Sequence, residues 1–119
     1  MKFKLFQIQL TDAEVVRINA TGHDSVPKQA ARMKMMFGNN NAPVAAEAFS
    51  EGFYTHVSNI VAEDLDGVFE VGNIGPEANI ERLSPMSSVS VGDLIEDEDG
   101  NRSLVCCVLG SIFMSYKTI

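Results

Sequence analysis

Apolar and polar residues alternate from the start of the chain. In "MKFKLFQIQL", Phe3 and Leu5 alternate with Lys2 and Lys4, and then Phe6, Ile8 and Leu10 alternate with Gln7 and Gln9. Period two is the pattern of a β-strand with one face buried. The apolar phase reverses between Leu5 and Phe6, which predicts a bulge or twist at that step and puts Gln7 and Gln9 on the outward face. The period changes at "TDAE": Thr11 with Glu14 three residues later is a capping box, and Asp12 suits the positive end of a helix. Val15 and Ile18 then predict a short helix ending near Thr21-Gly22. A second helix is expected after Ser25, with Pro27 in its first turn. Its core face is predicted from Ala30, Met33, Met36 and Phe37, with Gly38 as a stop. "GNNNAP" reads as a loop, and "VAAEAFSEGF" as a third short helix stopped at Gly52.

From Phe53 to Ala62 the pattern is extended, with Tyr54, Thr55, Val57, Ile60 and Val61 suited to a sheet. "EDLDGVFEVGN" admits two readings. Leu65, Val68 and Phe69 have helical spacing behind the acids Glu63 and Asp64, whereas Val68 to Val71 also fits a strand; the helix is favoured. "IGPEANIERLSPMS" is a loop or irregular strand with two prolines. Residues 88–96 and 103–109 read as an antiparallel hairpin across Asp99-Gly100, a dipeptide suited to a type I′ turn. "LVCCVL" is apolar at every position, as in a central strand covered on both faces. The fold class expected is α+β: one domain over residues 1–119, a mainly antiparallel β-sheet with two or three short helices packed on it and a C-terminal β-hairpin.

Composition agrees with one domain. A chain of 119 residues with 45% hydrophobic content can bury a core without metal or disulfide staples. It has no run of eighteen apolar residues, so no membrane-spanning helix is expected, and "MKFKLFQIQLTD" lacks a long apolar stretch and a small-residue cleavage site, so no signal peptide is expected. Cys106 and Cys107 are adjacent, so a disulfide between them is strained; both are expected to be reduced, in a cytoplasmic compartment. The triplets Asn19-Ala20-Thr21 and Asn101-Arg102-Ser103 then carry no glycan.

The net charge of −7 is unevenly spread: residues 63–99 hold eleven acidic groups against Arg82 alone. That balance argues against direct nucleic-acid binding, which needs Lys and Arg to neutralise phosphates. An acidic face can repel DNA, meet a basic partner or imitate a phosphate surface. A solvated face that keeps a small domain soluble is the plain alternative.

Candidate chemistry is sparse. In "DEDGN", Asp97, Asp99 and Asn101 imitate the first three ligands of a calcium loop, but Arg102 and Val108 stand where glycine and glutamate belong. Cys106, Cys107, His23 and His56 lack zinc spacing. "VGNIGPE" is not a phosphate-binding glycine motif. No metal, cofactor or catalytic set is expected. Met33, Met35 and Met36 can form an adaptable contact surface, although two of them are expected to face the core. The one constellation worth following is Ser88, Ser90, Asp93 and His56: two serines alternating on a predicted strand, an acid close behind, and a histidine on another strand. Spacing does not require them to meet. In the structural reading, Val89 and Val91 face inward, Ser88 and Ser90 outward, Gly92 allows a bend, and Asp93 binds nearby amides as a local lock.

The blocks "MKFKLFQIQL", "FYTHVSNIVAEDLDGVFEVGN" and "SPMSSVSVGDLIEDEDGNRSLVCCVLG" together resemble a loose group of small, uncharacterised phage and plasmid proteins. Those carry a middle block of the form Y-x-x-V-A-x-I…D-L-x-x-V-F-x-x-x-N and an S-L-S-V-G-D-V-I motif; YodL-type domains of mobile elements have a similar serine-rich segment. Tyr54, Val57, Ile60, Asp64, Leu65, Val68, Phe69 and Asn73 match the middle block, and Ser88, Ser90, Val91, Gly92, Asp93 and Ile95 match the motif. Val89 and Leu94 depart from the motif, and Ser111 follows Gly110 where the group carries an aromatic. The resemblance implies origin on a mobile element in a bacterial host, favours a helix across residues 63–72, and brings no established activity. The function expected is that of a non-enzymatic accessory protein binding a macromolecule, a host protein or itself, through the acidic segment 63–99. The alternatives are a small enzyme or ligand-binding domain with a pocket near Ser88, Ser90, Asp93 and His56, and a self-associating structural subunit.

Overall fold

The structure is a computed structural model that describes residues 1–37, 41–107 and 114–119. Its framework is a six-stranded antiparallel sheet built from β1 (Lys2–Ile8), β2 (Tyr54–Val61), β3 (Ile80–Arg82), β4 (Leu94–Glu96), β5 (Arg102–Cys107) and β6 (Met114–Thr118), in the order β3-β2-β1-β4-β5-β6. Among the described residues four α-helices join it, more than the two or three expected: α1 (Asp12–Thr21), α2 (Pro27–Phe37), α3 (Ala42–Ser50) and α4 (Leu65–Asn73). The fold is α+β. Among the described residues no helix is long and apolar enough to cross a membrane.

The reversal of phase between Leu5 and Phe6 has its counterpart in the pairing. Leu5 pairs with Ser58 and Phe6 with His56, so Val57 is the extra residue of a bulge in β2. Both phases of β1 are apolar because its two faces are covered at different ends. Phe3 and Leu5 pack with Val57, Ile60, Ile95 and Val105 beneath Val68 and Val71 of α4. Ile8 packs on the opposite face with Leu94, Leu104 and Cys106 beneath Met35 of α2 and Ala45 and Ala48 of α3. Successive residues of β5, Leu104, Val105 and Cys106, alternate between these two cores and are all buried. The reading of "LVCCVL" as covered on both faces therefore holds for these residues, on a strand second from the edge rather than central; Val108 and Leu109 lie outside the described residues. Each fully buried aliphatic side chain contributes roughly 1.5–3 kcal/mol, so the two layers together dominate the stability.

Local signals explain the helix ends. Thr11 Oγ1 accepts the Glu14 amide at 3.2 Å while Glu14 Oε1 accepts the Thr11 amide at 2.9 Å, the reciprocal capping box. Asp64 caps α4 by accepting the Gly67 amide at 2.7 Å, so "EDLDGVFEVGN" is helix over Leu65–Asn73. The core face of α2 is displaced from the one expected: Met35 is buried, Met33 is half-buried and Met36 is exposed. Gly38 lies outside the described residues.

The hairpin also differs. Residues 88–93 are not strand; the ladder with β5 covers Leu94–Glu96, with Gly92 N–H also donating to Val105 O at 3.0 Å and Val105 N–H to Asp93 O at 2.9 Å. The connection is longer than a two-residue type I′ turn: Gly100 N–H donates to Asp97 O at 3.1 Å and Asp97 N–H to Asn101 O at 3.0 Å. Of the two turn residues only Gly100 has positive φ, at 87°. Asp97 Oδ1 accepts the amides of Asp99 and Asn101, both at 2.9 Å. A carboxylate that organises the turn from inside removes the need for Asp99 to adopt a left-handed conformation.

Candidate functional site

The strand content that β4 lacks decides the architecture of the site. Pairing of β1 with β4 stops at Phe6–Leu94, leaving Gln7 and Ile8 without a strand partner on that side. Residues 84–93 run past this open edge as a loop, held by glutamine side chains instead of a ladder. Gln7 Nε2 donates to Ser87 O at 3.0 Å and reaches Ser88 O at 3.4 Å, while Gln7 Oε1 accepts the Ser87 amide at 3.1 Å. Gln9 bonds Pro85 O and accepts the Ser84 hydroxyl at 3.2 Å. Gln7 is therefore buried, at 3% exposure, and not on an outward face as its alternation suggested. An amide side chain carries donor and acceptor together, so it can substitute for a missing strand partner.

Asp93 closes this loop. Its Oδ2 accepts the Ser90 amide and Gln7 Nε2, each at 3.0 Å, and its own amide donates to Ser90 O at 3.1 Å. The expected lock on nearby backbone is thus present, with Gln7 as a second partner. Asp93 is 7% exposed. Burial pushes its carboxyl up to about 7, against the opposing pull of the Ser90 amide, Gln7 and the Arg32 charge. The Tyr54 hydroxyl donates to Gly92 O at 2.6 Å and lies 3.4 Å from Met35 Sδ, joining β2, the loop and α2. Burial and the nearby Asp93 charge hold that phenol above its ordinary range.

Above Asp93, α2 and the loop leave a cavity of about 240 Å³ lined by Ile8, Arg32, Met35, Met36, Ser90 and Asp93 among others. Of the four residues singled out in the sequence, this cavity brings together Ser90 and Asp93. Ser88 is exposed and does not line it. His56 is elsewhere: its ring lies 5.1 Å from Phe6, and Nε2 is 2.8 Å from Asn59 Oδ1, in an open concavity shared with Lys2, Lys4 and the turn residues Glu96 to Gly100. Gln7 and Arg32 also belong to the site although no sequence pattern singled them out, whereas Met35 and Met36, expected as part of a contact surface, line it. Nothing local in the sequence marks Gln7 as buried or links α2 to a loop more than fifty residues away.

The acidic residues fall into groups. Glu63, Asp64, Asp66 and Glu70 line a concavity along α4, and Glu96, Asp97, Glu98 and Asp99 surround the hairpin turn. Both groups lie at the same end of the sheet, because Val61 and Glu96 pair with Lys2 and Lys4 of β1. Ala62 N–H donates to Met1 O at 3.0 Å, and Lys2 N–H to Glu98 Oε1 at 3.2 Å. Glu77 is paired with Arg82, Glu81 accepts from Asn59, and Asp93 is buried, so these three stand apart. Among the described residues no three His, Cys, Asp or Glu side chains are grouped to hold a metal ion. No family model, curated protein or solved structure matches the chain.

Proposed function

We propose that the chain is a non-enzymatic binding module whose ligand enters the cavity between α2 and the 84–93 loop. The observation that carries this reading is a carboxyl buried to 7% exposure at the wall of a cavity that also contains Arg32. Buried ionisable groups facing a concavity with convergent polar and apolar walls are the usual attributes of a ligand site. Ser90 and Asp93 share the cavity without His56, so it offers charge and shape rather than a nucleophile beside a base. The test is amide-resolved NMR of the full chain against a small-molecule fragment library. Shifts are expected to cluster on residues 32–36 and 87–93 and to vanish in Met36→Trp, which fills the opening. Hits that map elsewhere, or that survive Met36→Trp, overturn the reading.

A second reading is favoured by a separate observation, the gathering of segments 63–70 and 96–99 at one end of the sheet. In it this end meets a basic macromolecular partner, in keeping with the resemblance to small phage and plasmid proteins. A partner captured by the wild-type chain and lost with Glu63→Gln/Asp66→Asn/Glu70→Gln, but retained with Glu77→Gln, supports it. Equal capture by all three removes it.

A further inference from the structure

The cavity walls carry a carboxyl and a guanidinium, groups of opposite charge once Asp93 is ionised, and that narrows the ligand. Asp93 Oδ2 is occupied by the Ser90 amide and Gln7, but Oδ1 accepts no hydrogen bond among the described residues. Arg32 lines the same cavity from α2. It gives one hydrogen bond, from Nη1 to Gln29 Oε1 at 3.3 Å, and forms no ion pair among the described residues. A guanidinium has five N–H donors, so most of its capacity is unused. The rest of the lining combines the apolar and pliable Ile8, Met35, Met36 and Val91 with the polar Gln7, Ser87 and Ser90.

Each simpler ligand leaves a conflict. A plain cation matched to Asp93 meets Arg32, and a plain anion matched to Arg32 meets Asp93. A neutral apolar ligand strips water from Arg32 and leaves Asp93 Oδ1 without a partner. A molecule with an ammonium and a carboxylate on one carbon answers both groups at once. The cavity of about 240 Å³ is below the roughly 300–1,000 Å³ of drug-sized sites, so the ligand is correspondingly small.

The geometry points to a free α-amino acid with an apolar side chain as the ligand class, its ammonium on Asp93 Oδ1, its carboxylate on Arg32 and its side chain against Met35 and Met36. This inference rests on the cavity being a ligand site.

The test titrates the full chain with L-leucine, with isopentylamine, which lacks the carboxylate, and with 4-methylpentanoate, which lacks the ammonium, by calorimetry and amide NMR. L-Leucine is expected to bind at least about tenfold more tightly than either truncated compound, since each loses one charge-assisted pair. Arg32→Gln is expected to abolish the preference over the amine while leaving the preference over the acid. Asp93→Asn is expected to do the reverse. Because Arg32 is not in the core, its variant reports on the site even if Asp93→Asn is poorly folded. Equal binding of the amine and L-leucine overturns the zwitterion while preserving a ligand site. No shifts from any of the three compounds, together with fragment hits on the cavity, also overturns the amino-acid class. No shifts from these or any fragment overturns both readings.

Discussion

The buried Asp93 makes the stability of this protein depend on pH in a direction opposite to that of most acidic side chains. Its carboxyl ionises near 3.8 when unfolded and at about 7 in the fold, because burial penalises the charged form more than its hydrogen bonds favour it. Between those values the native state binds more protons than the unfolded chain, so this group makes stability fall as pH rises. The contribution is fully present below about pH 4 and is lost as pH passes through about 7. The slope is about 1.4 kcal/mol per pH unit while the native carboxyl stays protonated. From about pH 5 to about pH 8 the loss amounts to about 3 kcal/mol. Asp93→Asn keeps an acceptor for Ser90 and removes the titration. The groups facing Asp93 from neighbouring elements are Gln7 on β1, Arg32 on α2 and Tyr54 on β2; the Tyr54 phenol is held above its ordinary range and does not titrate in this window. Carboxylates held below their usual range, such as Glu14, Glu77 and Asp97, act in the opposite sense but equally in both proteins, so they cancel in the difference. Urea unfolding of both proteins at each pH unit measures that difference. Wild type is expected to lose ground against Asp93→Asn as pH rises. A difference that is flat, or that grows in favour of wild type, refutes the assignment of a near-neutral buried carboxyl.

Three further outcomes test the packing. A Cβ placed on Gly72 in α4 lies 2.3 Å from Val89 Cγ2, so Gly72→Ala is expected to lose about 1–2 kcal/mol net. Overpacking outweighs the helix-propensity gain of up to about 1 kcal/mol; a higher urea midpoint contradicts the contact. Gln7→Leu leaves the Asp93 carboxyl and the Ser87–Ser88 backbone without their shared partner and is expected to cost about 2–3 kcal/mol, with amide exchange accelerating first in the loop; unchanged loop protection rules out the glutamine clasp. Ser58 Oγ is buried without a hydrogen-bond partner among the described residues, so Ser58→Ala is expected to leave stability unchanged or raise it by up to about 1 kcal/mol, as thermal unfolding can show.

Much of the fold was legible because its signals are local. The phase reversal at Leu5–Phe6, the Thr11–Glu14 capping box, Pro27 in the first turn of α2 and the acid before α4 each act within one turn or one pleat. Neighbouring residues alone are enough to read them. The continuous apolar run at Leu104 to Cys106 likewise declared two covered faces, although not which helices cover them. Failures occurred where the partner is distant in sequence. Gln7 alternates like a solvent-facing residue, and only the passage of residues 84–88 along the edge of β1 buries it. Met35 displaced Met33 and Met36 as the core methionine because the rotation of α2 is set by Tyr54, Ile8 and the loop. The motif "SVSVGD" carries alternating polarity but forms no strand, because β1 offers a ladder to Leu94–Glu96 and glutamine side chains to what precedes it. The sequence by itself therefore determined the elements, their caps and the two-faced core. Tertiary structure alone decided that Asp93 and Ser90 meet Arg32, that His56 does not join them, and that two acidic segments share one end of the sheet. Contacts of that kind are selected by the packing of whole layers, and no local period encodes them.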